Sequence, residues 1–194
     1  MVNELHDALR RDTEKQIEDA KHIEAFTAWI VHRTTRRMQQ VGEALRTHRP
    51  LASPLLQGER PGQTDLPGEP AWNAAKASGL LAFAPQEDIV TYTEVDSIVD
   101  HILLSYDADR GPAEKLRAFQ QQVEFIEGPG VPAFSTATPA QLQTYLEELS
   151  EVNTAAVEIQ YWARQLHGAD TAILSDERNL AKIEAAERQF DALP

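Results

Sequence analysis

The chain has 194 residues, 42% hydrophobic and 25% charged: enough for one domain with a real core, and too apolar for wholesale disorder. Acidic residues outnumber basic ones by 31 to 18, a net charge of −13 that disfavours direct contact with a nucleic-acid backbone and leaves a basic protein partner open. There is no cysteine, which excludes disulfides, thiolate catalysis and cysteine metal sites, and no apolar run reaches the roughly eighteen residues that span a bilayer.

In chain order, residues 3–48 contain no proline, and Ile23, Phe26, Ile30, Thr34, Met38, Val41 and Leu45 recur at three- and four-residue steps. That periodicity predicts one long amphipathic helix, more sparsely apolar at its start around Leu5 and Leu9. Arg33, Arg36, Arg37, Arg46 and Arg49 make its second half basic, which in so acidic a chain reads as an internally paired face. Residues 49–70 hold five prolines and three glycines without periodicity, an irregular connection that Leu51, Leu55, Leu56 and Leu66 are placed to pin.

Residues 71–79 open the stretch AWNAAKASGLLAFAP. Trp72, Ala75 and Gly79 share one face of a short helix, and the alanines keep it thin enough to wedge between longer helices. Gly79 is placed for the left-handed conformation that ends a helix, and Pro85 for the start of the next. Trp72 reads as core packing first, and as the floor of a ligand pocket second.

Residues 85–127 predict a helical hairpin. One helix runs to about Asp109 with Tyr92, Val95, Val99 and Ile102 inward, Gly111-Pro112 reverses the chain, and a third helix carries Leu116, Phe119, Val123 and Ile126 to Glu127. Gly128-Pro129-Gly130 then breaks it. Thr138 as N-cap and Pro139 at the first helical position open a last helix over residues 139–192, bent near Gly168, with coiled-coil-like spacing from Leu142 to Leu166 that Asp170 and Glu177 interrupt. Nothing reads as a strand.

The fold class expected is therefore all-α, an elongated helical bundle in a single domain, residues 1–194. Its long N- and C-terminal helices run antiparallel, with paired positions summing to about 190–195, and shorter helices pack at one end. That register brings Arg46 and Arg49 near Glu147, Glu148 and Glu151.

The residues Ala71, Trp72, Ala75, Ser78, Gly79 and Leu81, followed by Pro85 and Tyr92, resemble a group of uncharacterised bacterial proteins with an AWxxAxxSGxL motif. In that group a single N-terminal membrane-spanning helix precedes a soluble all-helical domain. The resemblance covers about twenty-five residues. This chain departs from it in having Val95 where the pattern carries a second tyrosine, and in having no membrane segment. Either the anchor was removed or this member is soluble. The resemblance implies no activity.

The six histidines and the acidic clusters are the remaining candidates for chemistry. Asp19-x-x-His22 has the acid-x-x-His spacing of di-iron helical bundles, but such a site needs a second copy and further inward glutamates, and no second copy exists. No phosphate loop, zinc-protease, nucleophile-elbow or dinucleotide fingerprint occurs. Glu147, Glu148 and Glu151 at helical spacing read as an exposed face. No catalytic, cofactor-binding or metal residue is therefore assigned, and no cofactor is expected. Two functions follow. The first is a non-enzymatic interaction or scaffold domain, held at a membrane only through a segment absent from this chain, with a protein partner or self-association. The second is an acidic module, of the immunity or nucleic-acid-mimic kind, acting on a basic partner.

Overall fold

A computed structural model describes residues 2–52, 61–62, 65–122, 125–128 and 131–175. Helix α1 spans Val2–Thr47, α2 Pro70–Ser78, a 3-10 turn Leu80–Phe83, α3 Gln86–Gln122 and α4 Pro139–Leu174. Strands β1, Phe125–Gly128, and β2, Val131–Ser135, pair antiparallel between α3 and α4. The all-α class holds, with this small hairpin set inside it.

Where the length suggests a single core, the residues gather into two compact units. The first unit takes Met1–Phe26, Gly62–Leu104 and Ile159–Pro194, and the second takes Thr27–Pro61 and Ser105–Glu158. In each, a stretch of α1 lies antiparallel to a stretch of α4. Glu24 meets His167 in the first, and Thr34 meets Asn153 in the second, within a few residues of the register expected from the apolar stripes.

The first unit closes around α2 as the small-residue pattern predicts. Trp72 is 3% exposed and packs on Tyr92 with ring centroids 5.7 Å apart; Leu9, Ile89 and Ile173 belong to the same cluster. Ala75 is completely buried, so a larger side chain there would push α2 off its neighbours. Gly79 ends the helix at φ 74°, a left-handed conformation that costs other residues about 1–2 kcal/mol.

The second unit buries Val41, Ala44, Leu51, Leu142, Tyr145 and Leu149, with Leu116 and Phe119 of α3 packed against them. Arg37, expected on a paired surface face, is instead buried beneath it. Its guanidinium donates to the Ala52 carbonyl at 2.8 Å and to Gln40 at 3.0 Å, and lies 5.8 Å from the Tyr145 ring centre. Ser135 N–H donates to the Leu51 carbonyl at 2.7 Å. Leu51 thus pins the start of the proline-rich connection as expected, whereas Leu66 is 42% exposed and Leu55 and Leu56 lie outside the described residues.

Two expectations over residues 85–192 are corrected. The helical hairpin is one helix, because α3 runs through Gly111 and Pro112 without reversing. Proline removes one backbone hydrogen bond but its fixed φ is helical, so packed turns on either side carry the helix through. Here Phe119 stacks on Tyr145 at 4.6 Å, and Lys115 pairs with Glu151 at 3.5 Å. Beyond Gln122 the chain forms β1 in place of the end of a third helix. Ile126 pairs with Phe134 and Gly128 with Val131, so two strands pair where the glycines and proline suggest only a break. The last helix is single as expected: α4 passes Gly168 to Leu174, and its expected extension to residue 192 lies outside the described residues. The start of α4 is as expected. Thr138 Oγ1 accepts from Gln141 N–H while Gln141 Oε1 accepts from Thr138 N–H, a reciprocal capping box.

Two substitutions test this packing. Trp72→Ala should lower unfolding free energy by about 3–5 kcal/mol in urea titration, the usual loss for a buried large aromatic. An unchanged midpoint would mean the ring is not packed as described. Pro112→Ala should raise stability, by up to about 3 kcal/mol, by restoring the missing helical hydrogen bond.

Candidate functional site

The acids singled out by spacing do not assemble into a site. Asp19 is buried and pairs with Lys15 at 3.2 Å, while His22 is exposed. Glu147 is exposed and accepts from Gln143, while Lys115 of α3 approaches Glu148 at 4.0 Å and Glu151 at 3.5 Å. Among the described residues no three of His, Asp and Glu are arranged to hold a metal ion. His167 meets Glu24 at 3.0 Å, and His101 stacks on Trp162 at 4.2 Å. A hollow of about 20 Å³, room for water alone, lies among His6, Arg10, Asp88, Thr91 and Tyr92.

The concentrated chemistry is elsewhere in the first unit, where carboxyl groups converge from three elements. Glu69 is the residue before α2, Asp96 lies on α3 and Asp170 on α4. Glu69 is 5% exposed and Asp170 has no exposure at all. Among the described residues neither oxygen of Asp170 has a hydrogen-bond partner. A charge there would be desolvated with nothing to replace water, so the group is held neutral. Burial, and then the charge of Glu69, raise the Asp170 carboxyl well above the ordinary carboxylate range.

Glu69 and Asp96 divide their roles. Burial first, then the hydrogen bond and charge of Asp96, push Glu69 up to about 8, against the smaller downward pull of Gln16 and Lys76. Partial burial works to raise Asp96 as well. It is outweighed by Lys76, whose ammonium reaches both Asp96 oxygens at 2.9 and 2.8 Å, and by the bond that protonated Glu69 donates, so Asp96 stays low and charged. The Trp72 indole N–H lies toward Asp96 but short of hydrogen-bond geometry. One proton on Glu69 and one cation on Asp96 keep the pair compatible with burial. Of these residues only Asp170 leaves a trace in the sequence, as an acid at a core position of a regular apolar stripe. Glu69 falls in the irregular connection, where a glutamate before a helix reads as an ordinary dipole partner.

A second feature is the outer face of α3 in the same unit. Glu87, Val90, Glu94, Ser97, His101 and Leu104 recur at three- and four-residue steps and all are exposed. Phe83, at the end of the 3-10 turn before α3, is 73% exposed, and Leu104 is 65% exposed. From Leu80 to Leu104 the chain has five acidic residues and no lysine or arginine. No family model, curated protein or solved structure matches the chain.

Stability should depend on pH through Glu69. The folded state holds a proton that the unfolded chain gives up near 4.5, so the favourable contribution is complete below 4.5 and is lost as pH rises to about 8. Urea midpoints should therefore fall between about pH 5 and about pH 8.5. The loss is a few kcal/mol at most, since a tenfold difference in proton affinity is worth about 1.4 kcal/mol. Asp170→Asn, neutral at every pH, should cost little at pH 6, where Asp170→Leu would show whether shape or polarity is required. A midpoint independent of pH would contradict the protonated cluster.

Proposed function

We propose that this protein is a non-enzymatic interaction domain whose α3 face in the first unit takes a basic, amphipathic segment of a protein partner. The observation that carries this reading is the juxtaposition of exposed apolar side chains, Phe83, Val90 and Leu104, with Glu87 and Glu94 on a face that carries no lysine or arginine. Large exposed hydrophobics surrounded by one sign of charge favour a partner with apolar anchors flanked by lysine or arginine. The buried carboxyl cluster faces other protein groups rather than a cleft, which supports a structural use of its protons over acid–base catalysis. An acidic module acting on a basic partner is thus preferred to a scaffold without a defined face. The resemblance of residues 71–92 to proteins with an N-terminal membrane helix supports placing such a domain beside a membrane, through a helix outside this sequence. Among the described residues no helix is long and apolar enough to cross one.

The test is binding of a fluorescent, lysine-rich amphipathic peptide of about 18 residues, or some five helical turns. Affinity should fall with added salt, and should fall roughly tenfold or more in Val90→Ser/Leu104→Ser, which leaves every charge in place. A peptide with glutamates in place of the lysines should not bind. Equal binding by the serine variant would reduce the interaction to diffuse charge attraction and overturn the reading.

A further inference from the structure

We propose that the seating of α2 is controlled by a proton on Glu69, so that helix α2 and Trp72 are held in the first unit while Glu69 is protonated and are released when it ionises. The proposal is independent of what binds α3. It rests on which groups hold the head of α2 and on how the charges around its start are balanced.

The attachments of α2 are specific. Ala71 N–H donates to Asp12 Oδ2 of α1 at 2.7 Å, Trp72 packs on Tyr92, and Lys76 bridges to Asp96. Glu69 sits at the head of this helix and faces a polar or titratable group on each element around it. From α1 come Gln16 and, one turn earlier, the Asp12 carboxylate. From α2 comes Lys76, from α3 Asp96, and from α4 Asp170. Lys76 is the single cation among these groups, and both of its bonds go to Asp96.

With the proton in place, Glu69 donates to Asp96 and the surroundings are balanced. Once the proton leaves to solvent, two neighbouring carboxylates, Glu69 and Asp96, share one lysine, which is bonded to Asp96. Asp12 adds a further negative charge at Ala71, and Asp170 offers no compensation. Like charges in a buried setting repel strongly, and the relief is to carry Glu69 into water. Glu69 immediately precedes Pro70, the first residue of α2, so its movement carries the helix and withdraws Trp72 from Tyr92. The 3-10 turn and Phe83 follow directly after the left-handed Gly79, a joint about which α2 can swing.

The experiment is 19F NMR of the full chain labelled with 5-fluorotryptophan, which gives one resonance for each of the three tryptophans, with Trp72→Phe assigning the signal. The Trp72 resonance should move to a solvent-exposed position with a midpoint near pH 8, while Trp29 and Trp162 stay in place and far-UV circular dichroism is nearly constant. Glu69→Gln should remove the transition, and Asp170→Asn should leave it. If Glu69→Gln fails to fold, Asp96→Asn decides: deleting the opposing charge should lower the midpoint by about one pH unit or more. The proposal is overturned if Trp72 is unresponsive from about pH 6 to about pH 9.5, since a carboxyl raised as far as Glu69 must titrate within this window. It is equally overturned if all three tryptophans move together, if the transition survives Glu69→Gln, or if Asp170→Asn abolishes it.

Discussion

A carboxyl group closed into a helical core without a donor is stable there only as the neutral acid, and the first unit is built around that condition. Asp170 occupies a position in α4 where the apolar stripe calls for an aliphatic side chain, and it has no solvent contact. Everything near it follows from keeping charge out. Glu69 keeps its proton and donates it in a hydrogen bond to Asp96, and Lys76 is committed to Asp96 from the rim. Gly168 and Ala169 beside Asp170 are buried as well, and exclusion of water strengthens every electrostatic effect there. Apolar packing of Trp72, Tyr92 and Leu9 seals one side.

The second unit solves its polar problem by the opposite route. Its buried charge is a cation, Arg37, which is met by acceptors. The guanidinium reaches a backbone carbonyl, a glutamine and, at 3.4 Å, the Tyr145 hydroxyl, and it lies over the ring of that tyrosine. The planar guanidinium presents its donors to acceptors held around it, where Glu69 has a carboxylate as its neighbour. Thr34, Thr35 and Asn153 add a hydrogen-bonded contact between α1 and α4, and Ser105 donates to Glu158.

Features that depend on neighbours in sequence are legible in the sequence. The stripe of α1, the thin helix ending at Gly79 and the cap at Thr138 are set within one or two turns, and they form where local chemistry places them. Pro112 and the Phe125–Ser135 hairpin mislead for one reason: a proline or glycine marks a change of direction only when packing does not override it. Gly128-Pro129-Gly130 suggests a stop by itself, although short apolar runs on both sides of it fit a turn between strands. Glu69 is invisible because its burial depends on Asp96 and Asp170, distant in sequence. Asp170 is visible as an interruption, and an acid in a core register is itself the signal of a neutral or paired group.

The order in which the two units draw on the chain has a consequence during synthesis. Every segment of the second unit has been made once Glu158 is reached, whereas the first unit also needs the later half of α4. On a ribosome, Val41, Leu51 and Leu142 can close their core while Leu9 and Trp72 still wait for Ile173. For that interval the aromatic wedge stands in water together with Glu69, which ionises there as any exposed carboxyl does. Its proton, and that of Asp170, are taken up only as the last turns of α4 arrive. Completion of the first unit is therefore a proton-consuming step.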